Sequence, residues 1–589
     1  MANGLDAVRR EESLLGCFGG DEQEVMVTVR RLLGVVAASA ISVTAATSYT
    51  GTTPYAYPIT WNPQLASSKL RLNDSIGPVA DVFSAGRGFI RSSRAVYAFA
   101  ANSLDYKISL RGFDEKSDAY YDARNKVHLR AAKRLLRLCE KNRGFYIKAG
   151  QSVASMHQVP KEFVSTLSVL QDKASFWSFK DLEVVFLEEF GKDVKELFEA
   201  FDEQPIAAAS LAQVHRGFLK NGQEVAVKVQ YPGLQKQFAT DIATMAFLSK
   251  ALAWIFPDYQ FEWLVGEFEK NVVRELDFTQ EADNADRTAK SFAHNRNVRI
   301  PRIFRELSTK RVLTMEFMEG CKIDDIKSLE KAGVDPKEVA SLLAAIFAEM
   351  IFCHGFVHGD PHPGNLLVHR DPSRSGKHNF DIVILDHGLY RELGEKFRTN
   401  YCRLWRALIL LDADEISETG RNLGAGQYAR YLPVIFTGRA ISSKSSFGQL
   451  MTPEEAKVLK EDVRRFTMGD VSEWLQGLDR EFLTVLRTDN LVRSIAYRLG
   501  ATRKTCLMAY VKNAVSGLSL GHPGSPDLYE QGLLAYTKAK FDYANLRIRL
   551  EFFEFLIAAY QWYGALSRLK ARIYCNLSLK RLMNISVSS

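Results

Sequence analysis

The run His358-Gly359-Asp360-Pro361-His362-Pro363-Gly364-Asn365 carries an aspartate with an asparagine five residues on, and Asp386-His387-Gly388 follows further along the chain. Phosphoryl transfer needs an Asp that accepts or orients a substrate proton. It also needs an Asn five residues later and an Asp-x-Gly, which hold the magnesium ions that bridge the phosphates. Both acids flank β-type runs, Leu366-Leu367-Val368 and Phe380–Leu385. Asp360 is therefore the candidate catalytic residue, and Asn365 and Asp386 are the candidate metal ligands. Upstream, Val225-Ala226-Val227-Lys228-Val229 sets a single lysine in an apolar strand, which is costly unless the charge has a partner. In a kinase-type lobe such a lysine holds the α- and β-phosphates and pairs with a Glu on a following helix.

A glycine-rich loop usually covers the phosphates, because glycine lets the backbone approach the nucleotide. The corresponding place, twenty-one residues before Lys228, reads Ala207-Ala208-Ala209-Ser210. Alanine still permits close approach but disfavours positive φ, so a stiffer loop and a differently seated nucleotide are expected. His354, His358 and His362 recur every four residues like a zinc set. Gly355, Gly359, Pro361 and Pro363 break that helical face, and no Glu stands beside the first His as a base.

The elements that must position these residues are legible from periodicity and capping. Ser117 opens a helix with apolar positions Tyr120, Ala123, Val127, Ala131, Leu135 and Leu138, closed by Lys141, Arg143 and Gly144. Lys148-Ala149-Gly150-Gln151 follows and, taken alone, reads as an ordinary helix start. Residues 213–219 and 224–230 form a hairpin around Asn221-Gly222, whose two central residues are expected at positive φ. A helix from about Glu262 is expected to carry Glu275, Asp277 and Glu281, with Asp277 and Glu281 on one face; a solvated acidic stripe has the same pattern. Asp335-Pro336 starts a buried helix with apolar Val339, Leu342, Leu343, Ile346, Phe347, Met350 and Ile351.

Composition sets the frame. With 46% hydrophobic and 25% charged residues among 589, the chain is globular, which excludes wholesale disorder, a collagen-like repeat and a multi-span membrane protein. A net charge of +8 does not argue for a nucleic-acid partner. Seven scattered cysteines without a C-x-x-C pair indicate neither a disulfide framework nor a zinc ribbon. Residues 1–24 are net −4, whereas 25–73 hold four basic and no acidic residues. The uncharged stretch 32–50 fits a membrane anchor, an organelle-targeting element or a plain leader. After about residue 420 the sequence is helical and basic without recognisable chemistry. Phe552–Leu566 reads as a core helix or as an interfacial helix with a basic rim.

Taken together, KAGQ at 148–151, AAAS at 207–210, VAVK at 225–228, ELDFTQEADN at 275–284, HGDPHPGN at 358–365 and DHG at 386–388 resemble the UbiB (aarF-domain) family of atypical kinase-like proteins. The resemblance spans about residues 90–400 and looks closest to the mitochondrial branch. It implies an α+β, two-lobed protein-kinase-like fold with a helical N-terminal extension carrying KAGQ and a mostly helical C-terminal lobe. The expected divisions are a leader at 1–80, the extension at 81–200, an N-lobe at 201–318, a catalytic core at 319–420 and a helical part at 421–589. It implies ATP (or ADP) and Mg²⁺ as cofactors, and Glu281 as the partner of Lys228. It also implies nucleotide-site roles for Lys148, Gln151, Glu275, Asp277 and the 207–210 loop, with the KAGQ helix closing the groove a peptide would use. A kinase or ATPase at a mitochondrial membrane, with the chloroplast as the alternative, is expected to act in membrane-lipid or prenyl-lipid/quinone homeostasis, with nucleotide and a membrane surface or prenyl lipid as partners. The alternative is a pseudokinase scaffold that senses nucleotide without turnover. Gly359 replaces the Arg of H-R-D, no A-P-E follows Asp386, and His387 stands where Phe usually packs.

Overall fold

The computed structural model describes residues 78–519 apart from short internal stretches, with scattered positions between 537 and 552. The expected leader ahead of Pro78, its 32–50 segment and the 553–566 part of the aromatic run lie outside the described residues. Two compact units are present. One comprises the chain up to Phe278 with Phe304–Thr314; the other comprises Thr279–Ile303 and the chain from Met315 onward.

The first unit begins with helices α1 (Pro78–Ser109), α2 (Asp118–Asn142), α3 (Phe145–Ala154), α4 (Lys161–Leu167), α5 (Phe179–Phe190) and α6 (Val194–Leu197). The Ser117 hydroxyl accepts the Tyr120 N–H at 3.1 Å, capping α2 as its position predicts. At the other end, Arg143 and Gly144 both take positive φ, 55° and 51°, and the chain turns sharply into α3. That helix lies between two apolar clusters. Phe145 joins Leu182, Phe186, Val225, Val227 and Val312, while Tyr146 and Ile147 join Leu138, Cys139, Leu167 and Leu170.

Strands β1 (Ala200–Phe201), β2 (Ala207–Ala208), β3 (Ala212–Phe218) and β4 (Glu224–Gln230) precede helices α7 (Leu234–Ile255), α8 (Glu262–Glu275) and α9 (Phe278–Ser291). After β5 (Val298–Arg299), strand β6 (Val312–Glu316) completes a sheet of order β1-β3-β4-β6, with β2 also on β3. Helix α7 includes a stretch, Gln237–Ile255, long and apolar enough to cross a membrane by length and composition. Here it packs on α1 through a buried Asp241–Arg91 ion pair and a Ser92–Thr244 hydroxyl contact of 2.8 Å.

Two local expectations are corrected. In the β3–β4 loop only Gly222 takes positive φ (81°), and Asn221 does not. Gly222 N–H reaches Leu219 C=O at 2.8 Å and Leu219 N–H reaches Gln223 C=O at 2.8 Å, a three-residue loop closed by a left-handed glycine. Asn221 Oδ1 accepts the Gln223 N–H at 3.0 Å, which satisfies the asparagine without a left-handed backbone. The acidic helix is likewise two helices: α8 ends at Glu275, α9 starts at Phe278, and Asp277 lies between, so Asp277 and Glu281 do not share one helical face. Tertiary bonds cause the break. Phe278 N–H donates to Lys310 C=O at 3.0 Å, and Leu276 C=O accepts the Gln230 side-chain amide at 2.9 Å.

The second unit contains β7 (Cys321–Lys322), α10 (Ile326–Lys331), α11 (Pro336–Glu349), β8 (Phe356–His358), β9 (Leu366–Arg370), β10 (Phe380–Ile384) and β11 (Tyr390–Glu392). Helices α12 (Glu395–Leu410), α13 (Ala413–Asn422), α14 (Leu432–Thr437), α15 (Pro453–Val463), α16 (Met468–Gly477), α17 (Arg480–Arg498) and α18 (Arg503–Ser519) follow. Asp335 caps α11 by accepting the Lys337 N–H at 2.9 Å. The predicted stripe is the core: Val339, Leu343, Ile346 and Phe347 are buried with Leu366, Ile382 and Ile384 of the β5-β10-β9-β7 sheet and Val492 of α17. A π-turn at Met350–His354 ends in Gly355 at φ 61° and feeds β8, which pairs antiparallel with β11.

Candidate functional site

In the first unit, β4 alternates so that Val225, Val227 and Val229 are fully buried while Lys228 points to the other face, half-buried. Its ammonium lies over the Phe278 ring at 5.1 Å, a cation–π contact that offsets part of its desolvation. Ala207 and Ala208 form β2, paired with Val214 and Gln213 of β3, and Ala209 N–H closes the turn onto Ala212 C=O at 2.7 Å. The alanine segment is thus a pinned hairpin, and none of its residues takes positive φ. The fully buried Gln213 anchors it from below, accepting the Trp177 N–H at 2.9 Å and donating to Trp177 C=O at 3.2 Å.

The KAGQ residues fall on α3. Lys148 Nζ pairs with Glu275 at 2.8 Å, with the two side chains only 19% and 14% exposed. The predicted lysine and the first acid of the ELD element are therefore brought together. Gln151 donates to Leu170 C=O at 2.9 Å, which ties α3 to the turn after α4. Gly150 is needed for space: a Cβ there would stand 2.5 Å from Leu170 Cδ1 and 3.0 Å from Cys139 Sγ. Asp277 occupies the α8–α9 junction, its N–H on Arg274 C=O at 3.2 Å.

In the second unit the motif residues converge through His358. This imidazole is buried, and desolvation lowers its pKa, so it is neutral. Its Nδ1 accepts the Asp360 N–H at 3.1 Å and its Nε2–H donates to Asp386 C=O at 2.5 Å, so one ring ties the two acidic segments together. Asp386 Oδ1 accepts the Gly388 N–H at 2.9 Å. The Asn365 amide donates to Asp360 C=O at 3.1 Å, and Leu385 N–H returns to Asn365 C=O at 3.0 Å. Spending the amide N–H on Asp360 leaves Asn365 with a carbonyl oxygen as the donor atom for a cation. With the Asp386 carboxylate this is a hard oxygen set. It fits magnesium, which takes one or two protein oxygens and completes its shell with phosphate oxygens and water.

Gly359 packs closely on Leu389: a Cβ would stand 3.2 Å from Leu389 Cγ, so a larger residue requires Leu389 to shift by a few tenths of an ångström, and the Gly359 N–H bonds Leu389 C=O at 2.8 Å. His387 is buried in place of the usual Phe, stacked on Tyr390, with its ring nitrogens at Tyr390 Oη (2.9 Å) and Ile384 C=O (3.0 Å). Asn284 of α9 donates to His387 C=O at 2.9 Å. Glu281, in the first turn of α9, is 3% exposed. The three histidines of the zinc-like spacing are dispersed. His354 contacts Glu349 at 3.0 Å, His358 sits in β8, and His362 caps the turn at Pro363. Among the described residues no three His, Cys, Asp or Glu side chains form a metal-binding group.

Two residues were not legible. Arg487 of α17 donates to Asp360 Oδ1 at 3.1 Å, and its neighbour Thr488 donates to His358 C=O at 3.3 Å. Both lie in the region read as devoid of chemistry, and nothing local in α17 marks them.

A site of this composition, on a lobe of this topology, is that of a kinase-like protein, and comparison with known proteins bears this out. Residues 169–420 match the ABC1 atypical kinase-like domain. The chain belongs to this family of AarF-domain atypical kinases. It is 40% identical to the AarF domain-containing protein kinase 1 of Xenopus laevis over 72% of this chain and 81% of that one. It is 38% identical to the probable serine/threonine-protein kinase abkD of Dictyostelium discoideum over 79% of this chain and 66% of that one. Among solved structures it is similar to the Rv3197–erythromycin complex of Mycobacterium tuberculosis, 22% identical, with a TM-score of 0.43 over 66% of this chain and 99% of that one.

Proposed function

We propose that this chain binds ATP with magnesium and acts as an atypical kinase or ATPase on a lipid or prenyl-lipid substrate at a mitochondrial membrane. The observation that carries the reading is the His358 bridge, which holds the Asp360 N–H and the Asp386 carbonyl on one neutral ring. Nothing in a merely structural turn requires that two acidic segments 26 residues apart be fixed to each other.

Lys228 would hold phosphate oxygens, with Glu281 as its helix partner, and the 207–210 hairpin would cover them. Asn365 and Asp386 would hold magnesium, which when bound neutralises the phosphate charge. Asp360 would orient the acceptor hydroxyl or water, with Arg487 fixing the direction of its carboxylate. The Lys148–Glu275 ion pair joins two of the residues proposed for the nucleotide site, and a small or lipid acceptor is proposed in place of a peptide. The acid-free, basic segment 25–73 supports mitochondrial import.

Single-turnover phosphate release from ATP, with and without lipid vesicles, tests the reading. Release that is lost in Asp386→Asn together with Mg²⁺-dependent nucleotide binding is expected. Nucleotide binding without release would instead mean a nucleotide-sensing scaffold. Binding indifferent to magnesium and to Asp386→Asn would overturn the site itself.

A further inference from the structure

A cavity of about 420 Å³ opens in the first unit, and Lys228 is not among the described residues that line it. Arg87, Arg91 and Arg94 of α1 line one wall, and Lys141 and Arg143 at the α2–α3 junction line another. Among the described residues, none that lines it is acidic. Asp241 reaches Arg91 and neutralises that one guanidinium, and Arg94 donates to Asn142 Oδ1 at 3.4 Å. Gathering cations around a concavity costs repulsion and raises the local positive potential, which is the field an anion needs.

A second observation is independent of charge. Arg143 takes φ 55°, and among the described residues it shares positive φ with only one other non-glycine, Leu411. With ψ at −167° the Arg143 backbone lies in a region occupied almost only by glycine, which costs about 1–3 kcal/mol, and strain of this kind collects at ligand sites. Here it sits on the cavity wall. The remaining wall is the alanine hairpin and its support. Buried Ser210 lines the cavity with Trp177 and Tyr231, whose rings stack at 5.4 Å, and the Tyr231 hydroxyl donates to Ala209 C=O at 3.1 Å.

We infer that this cavity binds a diphosphate-type anion, with its phosphate oxygens on Arg87, Arg94 and Arg143 and its body against the Trp177–Tyr231 wall. What the cations would hold, a terminal phosphate with more than one negative charge, is offered by a soluble diphosphate and by the phosphomonoester headgroup of phosphatidic acid. Ile90, at the cavity, and Tyr97 on the same helix are 50% and 76% exposed, a setting that accommodates either source. Occupancy would brace the alanine hairpin from the Ser210 side. Ala209 and Ser210 belong to the hairpin proposed to cover the nucleotide, whereas Lys228 does not line the cavity, so a Lys228 variant separates this site from the nucleotide site.

Titration calorimetry of the full chain with inorganic pyrophosphate is the test, beside flotation with phosphatidylcholine vesicles with and without phosphatidic acid. Salt-sensitive pyrophosphate binding is expected, weakened roughly tenfold by each of Arg87→Ala, Arg94→Ala and Arg143→Gly, the loss typical of one charge-assisted contact. Arg143→Gly removes a charge while relieving the strained φ, so it keeps the fold even where an alanine variant does not. Pyrophosphate binding alone identifies a soluble ligand, and flotation that requires phosphatidic acid and these arginines identifies a headgroup; either supports the site. Absence of binding to both probes would overturn it, as would undiminished binding in the triple variant. Loss of pyrophosphate binding in Lys228→Met with retention in the triple variant would also overturn it, since the probe would then occupy the nucleotide site.

Discussion

The glycine of the KAGQ element can be replaced only at a cost that the structure sizes. In Gly150→Ala the new Cβ would lie 2.5 Å from Leu170 Cδ1 and 3.0 Å from Cys139 Sγ. Leu170 and Cys139 are 2% and 1% exposed, so neither has free space to retreat into. Overpacking costs about 1–3 kcal/mol, and an approach as close as 2.5 Å against a buried side chain places this site in the upper part of that range, about 2–3 kcal/mol, while alanine in a helix interior returns about 1 kcal/mol over glycine. The net effect is a destabilisation of about 1–2 kcal/mol concentrated on α3. Hydrogen exchange of the α3 amides reads it directly, because local opening becomes roughly 5- to 30-fold more frequent. Introducing Leu170→Ala first removes the principal clash, and Gly150→Ala should then cost at least about 1 kcal/mol less, a coupling within the range for residues in contact. Exchange that is unchanged or slower in Gly150→Ala, or an equal penalty in both backgrounds, would refute the packing argument and leave the glycine without a steric reason.

Other consequences follow from single contacts. A double-mutant cycle of Lys148→Met and Glu275→Gln should show about 1–3 kcal/mol of coupling, since a 2.8 Å pair this shielded leaves either charge unpaired when its partner is lost; additive effects by denaturation would mean the pair contributes nothing. Arg487→Gln should lower turnover about tenfold with nucleotide affinity unchanged, because it touches the Asp360 carboxylate at 3.1 Å and no proposed nucleotide contact. Parallel loss of affinity would deny it a positioning role. Burial pushes the His128 pKa down from 6.5 to about 4, so the unfolded chain binds the extra proton in that interval. Its contribution to stability is complete above pH 6.5 and is lost as the pH falls toward 4. The acid sensitivity of the wild type over this window should exceed that of His128→Gln, as followed by urea midpoints; identical profiles would show that the imidazole is not held neutral.

Properties that depend on neighbours along the chain were determined by the sequence itself. The five-residue step from Asp360 to Asn365, the Asp-x-Gly, the lysine alternating out of a valine strand and the Ser117 and Asp335 caps all express local geometry, and the structure places each on the expected element. The resemblance to the family rests on local motifs as well, KAGQ, AAAS and ELDFTQEADN among them. What only the tertiary structure decided depends on groups far apart in the chain. Lys310 and Gln230 capture the backbone at 276–278 and split one acidic helix into two. Arg487 reaches Asp360 across 127 residues, and α1 meets the α2–α3 junction to gather five cations around one cavity. No periodicity encodes these encounters, because a side chain's partner across a fold is chosen by how the buried apolar faces pack. That packing is a property of the whole assembled chain and is not carried by any window of its sequence.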